Sequence, residues 1–466
     1  MSRNKIQFGR PKSRKVKLSE LNLDIDNLSL EGRGVAKHAG KTIFVDGALP
    51  GENVRVKITK QHKSYDEASI VDIQSASPAR ITPACQHYNH CGGCQLQHLA
   101  PSAQLQHKQS AVLSLLQHMA KIIPVEIADP LRADAFNYRR SARIGVNRLS
   151  QSGTVIVGFR RRHSSKLLQI SKCIVLPEYL SGLFDQLRST LEQIENAKAI
   201  THIEYLQGDD CGALTFRCKA TLSAKSQALL SNMLKKFKLQ GFLRYDRGIE
   251  PLAGNSAALS YSINELQLNF EPGDFLQVNA AVNRQMVDRA MDWLVLNDTD
   301  HVLDLFSGLG NFSLPIANKV AQLVGVEGSD TMVQRATGNA TNNNIDNCRF
   351  YQSDLSVDIK NHPWFAQSYN KIILDPPRSG AQQLIHNLIK GNGNSEGQSP
   401  SHILYIACDP SSLARDGQLL TSLGYQMQKF CVMDMFPNTA HIEAMALFCK
   451  ITEQPKARRA SKLIPH

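Results

Sequence analysis

Apolar and polar positions in the last third of the chain repeat in one order: a short apolar run, a turn and an amphipathic segment. In residues 301–314 (HVLDLFSGLGNFSL), an apolar run at 302–306 leads into a glycine turn, and a helical apolar pattern then continues through 312–320. This order predicts a buried strand, a tight turn and a helix. Later apolar runs predict further strands of one open α/β sheet, at residues 321–326, 348–352, 371–374, 402–407 and 444–449.

The N-terminal pattern is different, because short alternating runs are separated by turns between residues 16 and 73. Runs at 42–45 and 53–58 are clear examples. Short strands at regular spacing predict a small antiparallel barrel. Farther along, residues 97–121 and 283–296 have the apolar spacing of helices, and the region between them mixes short strands and helices.

Length and charge narrow the class of protein. The 466 residues are enough for about three domains. The net charge of +12 and the pI near 9.2 favour a polyanionic partner. The chain has no apolar run of about 18 residues, and its basic N-terminus is not followed by an apolar segment. We therefore expect a cytoplasmic protein with no membrane span and no secretory signal.

Basic residues concentrate in two regions besides the arm at residues 1–13. The barrel region carries six of them: Lys37, Lys41, Arg55, Lys57, Lys60 and Lys63. A second group, beside Tyr138 and Phe159, contains Arg139, Arg140, Arg143, Arg148, Arg160, Arg161, Arg162 and Lys166. Basic side chains next to aromatic ones suit phosphate contacts and base stacking on RNA. The alternative is a solvated surface without a partner.

Cysteines cluster in the segment CQHYNHCGGC, which contains Cys85, Cys91 and Cys94. The two glycines in this segment permit a tight turn that brings three thiols to one site. Cys173 is the leading candidate for a fourth ligand. In a protein without a secretory signal, such a cluster favours metal binding over disulfides. Four thiolates suit either zinc or a [4Fe–4S] cluster, and the spacing does not distinguish between them.

Polar residues follow the predicted strands at the edge where open parallel sheets bind ligands. The first strand is followed by a turn that contains Gly308 and Gly310. The second, third and fourth strands are each followed by one acid: Glu327, Asp354 and Asp375. Glu327 can accept hydrogen bonds from a ribose, and Asp354 can accept one from an adenine amino group. A complete pyrophosphate-binding glycine pattern is absent. The predicted ligand is therefore a nucleoside cofactor without phosphates, S-adenosylmethionine.

A cysteine and an acid stand at the ends of the last predicted strands. Cys408 follows the strand at 402–407, and Glu443 directly precedes the final strand. Carbon 5 of a pyrimidine is not nucleophilic until a thiolate adds to carbon 6. After methylation, a base must remove the carbon 5 proton so that the thiol can leave. Cys408 and Glu443 are the minimal set for this chemistry, although a cysteine of this kind can also be a small buried core residue.

Several segments together resemble the RNA uracil-5-methyltransferases: the C-x5-C-x2-C cluster with a distant fourth cysteine, DLFSGLGNF, GVEGS, ILDPPR, YIACDPSSLARD and HIEAMALF. The resemblance covers nearly the whole chain and is closest to iron–sulfur members acting on 23S ribosomal RNA. It implies an α/β fold with a Rossmann-like seven-stranded S-adenosylmethionine-dependent methyltransferase domain. An N-terminal small β-barrel of the TRAM/OB-like type and a central α+β iron–sulfur domain would precede it.

The resemblance also implies a role for individual residues. The [4Fe–4S] ligands would be Cys85, Cys91, Cys94 and Cys173. The positions that match the cofactor site are Gln277, Phe306, Asn311, Glu327, Asp354 and Asp375, with Gly308 and Gly310 in the turn. Cys408 would be the nucleophile, and Glu443 the proton acceptor. Asp375 or Gln277 could also contact the target uracil.

The implied organisation has five parts. A basic disordered arm at residues 1–13 precedes a TRAM-like RNA-binding barrel at 14–75 and a central iron–sulfur and RNA-binding domain at 76–270. The catalytic domain spans 271–450, and a basic tail spans 451–466. The helix at about 97–121 is expected to pack on the catalytic domain. The expected partner is 23S ribosomal RNA, with no membrane, no DNA and a monomeric chain.

Three alternatives remain open. Transfer RNA could be the substrate, but transfer-RNA relatives generally lack the barrel and the cysteine cluster. A cytosine-5-methyltransferase would usually carry a cysteine where Asp375 and Pro377 stand. A catalytically dead RNA-binding protein is disfavoured by the intact Cys408 and Glu443. Ser307 stands where relatives often have cysteine, and Pro377 where this subfamily often has alanine; neither departure removes a ligand or a catalytic group.

Overall fold

The computed structural model describes residues 20–149, 151–253, 258–357, 359–390 and 399–451. The predicted arm at 1–13, most of the predicted tail at 451–466 and most of a Gly/Asn/Ser-rich segment at 391–400 lie outside these ranges. The described chain divides into two compact units. The first comprises residues up to Thr82 together with His98–Ala100, and the second comprises Pro83–Gln97 and the residues from Pro101 onward.

The first unit is a sheet of six strands: β1 (Glu20–Asp24), β2 (Asn27–Leu28), β3 (Gly34–His38), β4 (Lys41–Asp46), β5 (Asn53–Gln61) and β6 (Tyr65–Ser75). Their spatial order is β1-β5-β6-β4-β3-β2. Alternate side chains are buried, as Val54, Val56 and Ile58 are in β5. The expectation of a wholly antiparallel barrel was wrong for one pair, because β4 and β6 run parallel. The chain reverses into β5 and again into β6, so β6 runs in the direction of β4.

The second unit begins with α1 (Pro101–Leu115), which continues into one π-helical turn at Leu116–Ala120. Lys121 ends the turn in the left-handed region, and its N–H donates to the Leu116 carbonyl. The helix predicted at 97–121 is therefore real but shorter. Leu105 and Val112 of α1 pack in one core with strands of the C-terminal sheet. A two-residue strand, β7 (Glu126–Ile127), follows.

A seven-stranded sheet occupies the middle of the chain: β8 (Ser141–Arg148), β9 (Val155–Arg160), β10 (Leu167–Gln169), β11 (Ile200–Gln207), β12 (Gly212–Cys218), β13 (Leu239–Tyr245) and β14 (Gly248–Pro251). The spatial order is β10-β9-β8-β11-β12-β13-β14. Two helices, α2 (Leu183–Gln193) and α3 (Ala224–Lys236), pack on it, and 3-10 turns lie at Glu178–Leu180 and Ala197–Ala199. A hairpin of β15 (Leu259–Ile263) and β16 (Leu266–Phe270) then leads into α4 (Ala280–Leu294). The Asn279 side chain accepts from the Val282 N–H, so α4 starts earlier than predicted.

The C-terminal sheet contains β17 (His301–Leu305), β18 (Gln322–Glu327), β19 (Cys348–Gln352), β20 (Lys371–Leu374), β21 (His402–Ala407), β22 (Tyr425–Met433) and β23 (Glu443–Lys450). The connecting helices are α5 (Ser313–Ala317), α6 (Asp330–Asn342), α7 (Gln382–Lys390) and α8 (Pro410–Ser422). The spatial order is β19-β18-β17-β20-β21-β23-β22-β7. The seven expected strands are present, and β7 adds an eighth beside β22. Only β23 runs antiparallel to both of its neighbours.

Alternate residues of these strands enter two separate cores, one on each face. One core contains side chains of α4, α5 and α6, and the other contains side chains of α1, α7 and α8. Helices on both faces explain why the central strands read as continuous apolar runs. The resulting three-layer α/β/α arrangement places the carboxyl ends of β17 to β21 at one open edge. Within the described ranges, each helix is too short or too polar to cross a lipid bilayer.

Candidate active site and four-cysteine cavity

The turn after β17 is shaped by residues with positive φ. Phe306 has φ +66°, Gly308 +57° and Gly310 +97°. The N–H groups of Phe306 and Ser307 both donate to the Val326 carbonyl, at 2.9 and 3.1 Å, which ties the turn to β18. A side chain with a Cβ at Gly310 would approach Leu314 to within 2.9 Å. The predicted glycine turn is therefore formed, and it leaves the chain close to the edge where β18 ends.

Glu327, the last residue of β18, joins two loops through its carboxylate. One oxygen accepts from the Gly308 N–H at 3.1 Å, and the other accepts from the Ser329 N–H at 3.0 Å. The half-buried carboxylate therefore stands directly over the glycine turn. This position suits an acid that receives hydrogen bonds from ribose hydroxyls.

Asn311 belongs to a polar network that the sequence did not reveal. Its side-chain oxygen accepts from the Tyr261 hydroxyl at 3.0 Å and from Asn283 Nδ2 at 2.9 Å, and its own Nδ2 donates back to Asn283. Asn283 is 1% exposed and lies on the buried face of α4 with Met286, Val287 and Ala290. That helical spacing was the available signal for Asn283, whereas nothing local marked Tyr261.

Arg140 is part of the same region and does not face RNA as predicted. Its guanidinium stacks on Tyr261 at 4.5 Å, and its Nε donates to the Gln277 carbonyl at 2.6 Å. Arg140 is 5% exposed. Burial lowers its pKa. Arg140 therefore positions the Gln277 backbone, while the half-buried Gln277 side chain has no hydrogen bond among the described residues.

Asp354 lies apart from these contacts. It is exposed, and its carboxylate accepts from the N–H and hydroxyl of Ser356 at 2.9 and 2.6 Å. These two hydrogen bonds lower its pKa. The structure therefore places Asp354 at the predicted strand edge but shows no contact between it and the other candidate residues.

Cys408 and Glu443 are brought together by strand register. In the antiparallel pair of β21 and β23, Ala407 lies opposite Ala444, so the next position brings Cys408 beside Glu443. The Cys408 thiol lies 3.9 Å from the Pro376 carbonyl oxygen in the loop after β20. Asp409 caps α8 by accepting from the N–H groups of Ser411 and Ser412. The two residues that the sequence analysis paired by their chemistry thus lie at the ends of adjacent strands.

Three acidic groups crowd one another at this edge. Burial raises the pKa of Cys408 to about 11, with further contributions from Glu443 and Asp375. Burial also raises the pKa of Glu443, with Asp375 adding to the effect, and it raises the pKa of Asp375 to about 7. Arg378 opposes these effects on both Cys408 and Glu443. Its guanidinium lies 3.3 Å from His441 Nδ1. The site thus holds a protonated thiol beside a carboxyl group of raised pKa.

The four predicted ligand cysteines line one cavity of about 520 Å³: Cys85, Cys91, Cys94 and Cys173. None of them forms a disulfide. Burial raises the pKa of the Cys94 thiol to about 11 and that of Cys173 to about 12. In the described part of the chain, no three His, Cys, Asp or Glu side chains are arranged to hold a metal ion. The structure therefore brings the four thiols to the wall of one cavity.

The segment from Cys85 to Gln95, here called the cysteine turn, is held against the end of β9. The Gly92 N–H donates to the Arg160 carbonyl at 2.9 Å, and an added Cβ at Gly92 would lie 3.2 Å from that oxygen. Close approach to a neighbouring backbone, and not a positive φ, is the reason for glycine here. Arg162 donates to the Cys94 carbonyl at 2.9 Å and lies over the Tyr88 ring. Arg162 is therefore committed to the turn and is not a free RNA contact.

Some other residues of the predicted basic region make contacts within the protein, whereas others are exposed to solvent. Arg148 donates to the carbonyls of Gly153 and Ile194, so it fixes a local turn. Tyr138 donates to the Pro437 carbonyl, and Phe159 packs edge-on against Phe184, so each half-buried aromatic side chain has a partner within the protein. Four cations remain exposed: Arg143, Arg160, Arg161 and Lys166. The basic surface is smaller than the sequence indicated.

In the first unit, three of the six predicted cations form ion pairs and three do not. Three are paired with acids: Lys41 with Asp66 at 2.6 Å, Arg55 with Glu20 at 3.5 Å and Lys60 with Glu67 at 3.9 Å. Lys37, Lys57 and Lys63 are exposed and make no ion pair with any described residue. Of the six predicted cations, these three are therefore the ones available to phosphates.

Comparison with known proteins agrees with this architecture. A family model described as tRNA (Uracil-5-)-methyltransferase matches residues 256–451, and a TRAM domain model matches residues 15–71. A protein of Alkalilimnicola ehrlichii is 40% identical over 451 residues, which cover 93% of this chain and 98% of that protein. One of Psychromonas ingrahamii is 41% identical over 430 residues, covering 92% and 95%. Both are named 23S rRNA (uracil(1939)-C(5))-methyltransferase RlmD.

A solved structure shares the fold. The tRNA (uracil-54, C5)-methyltransferase of Pyrococcus abyssi, in complex with S-adenosyl-L-homocysteine, superposes with a TM-score of 0.70 over 92% of this chain and 100% of that chain. Its sequence identity is 21%, so the likeness establishes the architecture and not the details of the site.

The charge arrangement predicts the reactivity of Cys408. Because burial and two carboxyl groups raise its pKa to about 11, its alkylation by iodoacetamide should keep accelerating about tenfold per pH unit between roughly pH 8 and 9.5. Glu443→Gln removes one of the opposing charges and should speed alkylation at each pH. Peptide mass mapping after timed labelling measures the rate.

Cys449, at the other end of β23, provides an internal control because no carboxyl group contributes to its pKa. Its labelling rate should be the same in both proteins. A Cys408 rate that levels off near neutral pH, or that is unchanged by Glu443→Gln, would contradict this arrangement.

Proposed function

Because the chain belongs to the family of 23S ribosomal RNA (uracil-C5)-methyltransferases, we propose that it transfers a methyl group from S-adenosylmethionine to carbon 5 of a uridine in 23S ribosomal RNA. The observation that carries the proposal is the register of β21 and β23, which sets the Cys408 thiol beside the Glu443 carboxyl group. Relatives matching more than nine-tenths of the chain favour ribosomal over transfer RNA as the substrate.

The proposed reaction divides the work between these two residues. The Cys408 thiolate forms a bond to carbon 6 of the uracil, and the electron pair moves to carbon 5 and its neighbouring carbonyl. S-adenosylmethionine supplies the methyl group that carbon 5 takes up, and S-adenosylhomocysteine is released. Glu443 then removes the proton from carbon 5, the double bond re-forms, and Cys408 leaves as a thiolate. Glu443 then passes this proton to solvent, so both groups return to their starting forms without any redox step.

Charge at the site sets when these groups act. Cys408 must lose a proton that its buried surroundings and two acids retain, and Arg378 is the cation that favours the thiolate. Glu443 must be ionised to act as a base, and burial with Asp375 nearby raises its pKa. Elimination should therefore accelerate with pH up to a pKa well above that of an ordinary glutamate. A base of raised pKa also takes a carbon-bound proton more readily.

The cofactor site is proposed at the ends of β17 to β20. Its residues are Gln277, Phe306, Gly308, Gly310, Asn311, Glu327, Asp354 and Asp375. Supporting contacts are the Glu327 carboxylate over the glycine turn and the Asn311 network with Tyr261 and Asn283. The backbone of Gln277, which Arg140 holds through a hydrogen bond to its carbonyl, would form another side of this site. Asp375 is close enough to Cys408 to influence its pKa, so it borders both substrates.

We also propose that Cys85, Cys91, Cys94 and Cys173 hold a [4Fe–4S] cluster. The donor set fits, because four unpaired thiols line one cavity. A cluster distributes its ligands over several irons, so its thiolates stand farther apart than those around one zinc ion with bonds of about 2.3 Å. The group would fix the cysteine turn, and the proposed chemistry gives it no redox role.

RNA contact is proposed for the exposed cations of each unit taken separately. In the first unit these are Lys37, Lys57 and Lys63, and in the second Arg143, Arg160, Arg161 and Lys166. Phosphate contacts of this kind contribute affinity that falls as salt rises.

The division of labour predicts a trapped intermediate. Glu443→Gln keeps the size of the side chain but removes its basicity, so addition and methylation should proceed while elimination stalls. Turnover should fall by about 10²–10⁴-fold. A methylated RNA–protein adduct should persist on denaturing gels when unmodified 23S ribosomal RNA is supplied.

Cys408→Ala and the double variant should form no adduct, and unmodified transfer RNA should yield little. Normal turnover by Glu443→Gln, or loss of reaction without an adduct while RNA and cofactor still bind, would remove Glu443 from the role of base.

The metal proposal predicts the composition of protein purified without oxygen. It should be brown and contain about four irons per chain with matching sulfide. Replacing Cys173 with serine should lower the iron content, whereas replacing Cys449 should not. Stoichiometric zinc without iron or sulfide would show that the cavity holds a zinc site.

The surface proposal predicts a change in salt dependence. Replacing Lys37, Lys57 and Lys63 together with glutamine should weaken RNA binding and reduce the slope of log affinity against log salt by roughly 0.7 per lost contact. Affinity for the cofactor should not change. Lys60→Gln is the matched control, since Lys60 already has Glu67 as a counterion. An unchanged slope in the triple variant would show that these lysines do not touch phosphates.

A further inference from the structure

The loop that leads into β23 is held from outside the C-terminal sheet. Residues 434–441, here called the approach loop, end two positions before Glu443. Asn438 lies at its centre with φ +66° and is 3% exposed. Asparagine adopts this conformation more readily than most non-glycine residues, and its polar groups must find partners when they are buried this deeply. The contacts of Asn438 therefore determine the path by which the chain reaches Glu443.

Every polar group of Asn438 is used, and most partners come from two other segments. Its carbonyl accepts from the N–H groups of Gln95 and Leu96, both at 3.0 Å. Its N–H donates to Gln104 Oε1 at 3.0 Å, and its side-chain oxygen accepts from Gln104 Nε2 at 3.3 Å. Its Nδ2 donates to the Ala135 carbonyl at 2.8 Å. Asn438 is thereby joined to the cysteine turn and to α1.

Gln95 adds a second link between the cysteine turn and the approach loop. Its Nε2 donates to the Gly92 carbonyl at 2.8 Å, and its Oε1 accepts from the Ala440 N–H at 3.3 Å. The residue next to Cys94 thus spans from within the turn to a position three residues before Glu443. On the other side, Phe436, Thr439 and His441 form part of the wall of the cysteine cavity.

Helix α1 supplies the third attachment through polar residues on its buried face. Gln104 and Lys108 are 2% and 1% exposed and are spaced one helical turn apart. Lys108 pairs with Asp434 at 2.8 Å and donates to the Phe436 carbonyl at 3.1 Å. Polar groups buried this deeply are costly unless satisfied. Here both side chains bind the approach loop, and Gln104 Nε2 also donates to the Leu96 carbonyl at 3.0 Å.

From these contacts we infer that Gln95, Gln104 and Asn438 are positioning residues that hold Glu443 in place against the cysteine turn. The inference rests on the proposed role of Glu443 as the elimination base. Cys408 enters from β21 and α8, which the approach loop does not carry. Loosening these contacts, here called the clamp, should therefore impair the step that needs Glu443 more than the step that needs Cys408, which the approach loop reaches through His441 and Arg378.

The test compares Gln104→Ala with Gln106→Ala, which makes the same change on the exposed side of the same helix. Gln104→Ala should increase amide hydrogen exchange in a peptide spanning residues 434–443 and leave exchange in β17 unchanged. With RNA and cofactor, it should lower kcat by about tenfold or more with little change in KM, and the covalent RNA adduct should accumulate. Gln106→Ala should match the wild type.

A purely structural role for Gln104 would lower stability and slow both chemical steps together, leaving the adduct fraction as in the wild type. That result, or unchanged exchange in the approach loop, overturns the inference. If Gln104→Ala does not fold, Gln95→Ala removes only the link between Gly92 and Ala440 and is subject to the same expectations.

Cys94→Ser tests the attachment to the cysteine turn independently of activity. It should raise amide hydrogen exchange in the 434–443 peptide, and Cys449→Ser should not. Equal exchange in the two variants would show that the cysteine turn does not help to hold the approach loop. If Glu443→Gln itself yields no adduct, the proposed base is wrong, whereas the exchange measurements still report whether the clamp holds the loop.

Discussion

The antiparallel pairing of β21 with β23 is the constraint on which the proposed active site depends. A slip of one residue in this register would turn each side chain of β23 to the opposite face. Ala444 and Ala446 enter one core while Met445 and Leu447 enter the other, so both cores resist such a slip. The distance between the thiol and the carboxyl group is therefore fixed by burial on two faces of the sheet, and not by a bond between them.

The burial that fixes these groups also restrains them. Cys408 keeps its proton in the free protein because low polarity and two acids disfavour the thiolate. Since oxidants attack thiolates far faster than thiols, a raised pKa of Cys408 would slow oxidation of the proposed nucleophile while no RNA is bound. Arg378 opposes this effect by lowering the pKa of both Cys408 and Glu443, and Lys108 also lowers the pKa of Glu443. The raised pKa of Cys408 would therefore slow both the formation of the thiolate and its oxidation.

Much of the C-terminal sheet could be predicted because strands buried on both faces read as apolar runs, and β19, β20 and β21 have the predicted bounds. The nearness of Cys408 and Glu443 followed from those runs. Contacts between distant segments could not be predicted, since a buried polar side chain looks like an exposed one when its partner is unknown. Arg140 was misplaced for this reason, and Gln104 went unnoticed although it shares the buried face of α1. The eighth strand, β7, was too short to form a pattern.

The partnership of Gln104 with Asn438 has a consequence for how the protein is made. The two residues are 334 positions apart, so at about 5–20 residues per second a ribosome needs about 20–70 s to supply the second after the first. During that interval Lys108 lacks Asp434, and the face of α1 that will be buried lacks its strands. The proposed site is thus complete only after the approach loop and β23 have been synthesised, and α1 must wait for them in an unfinished state.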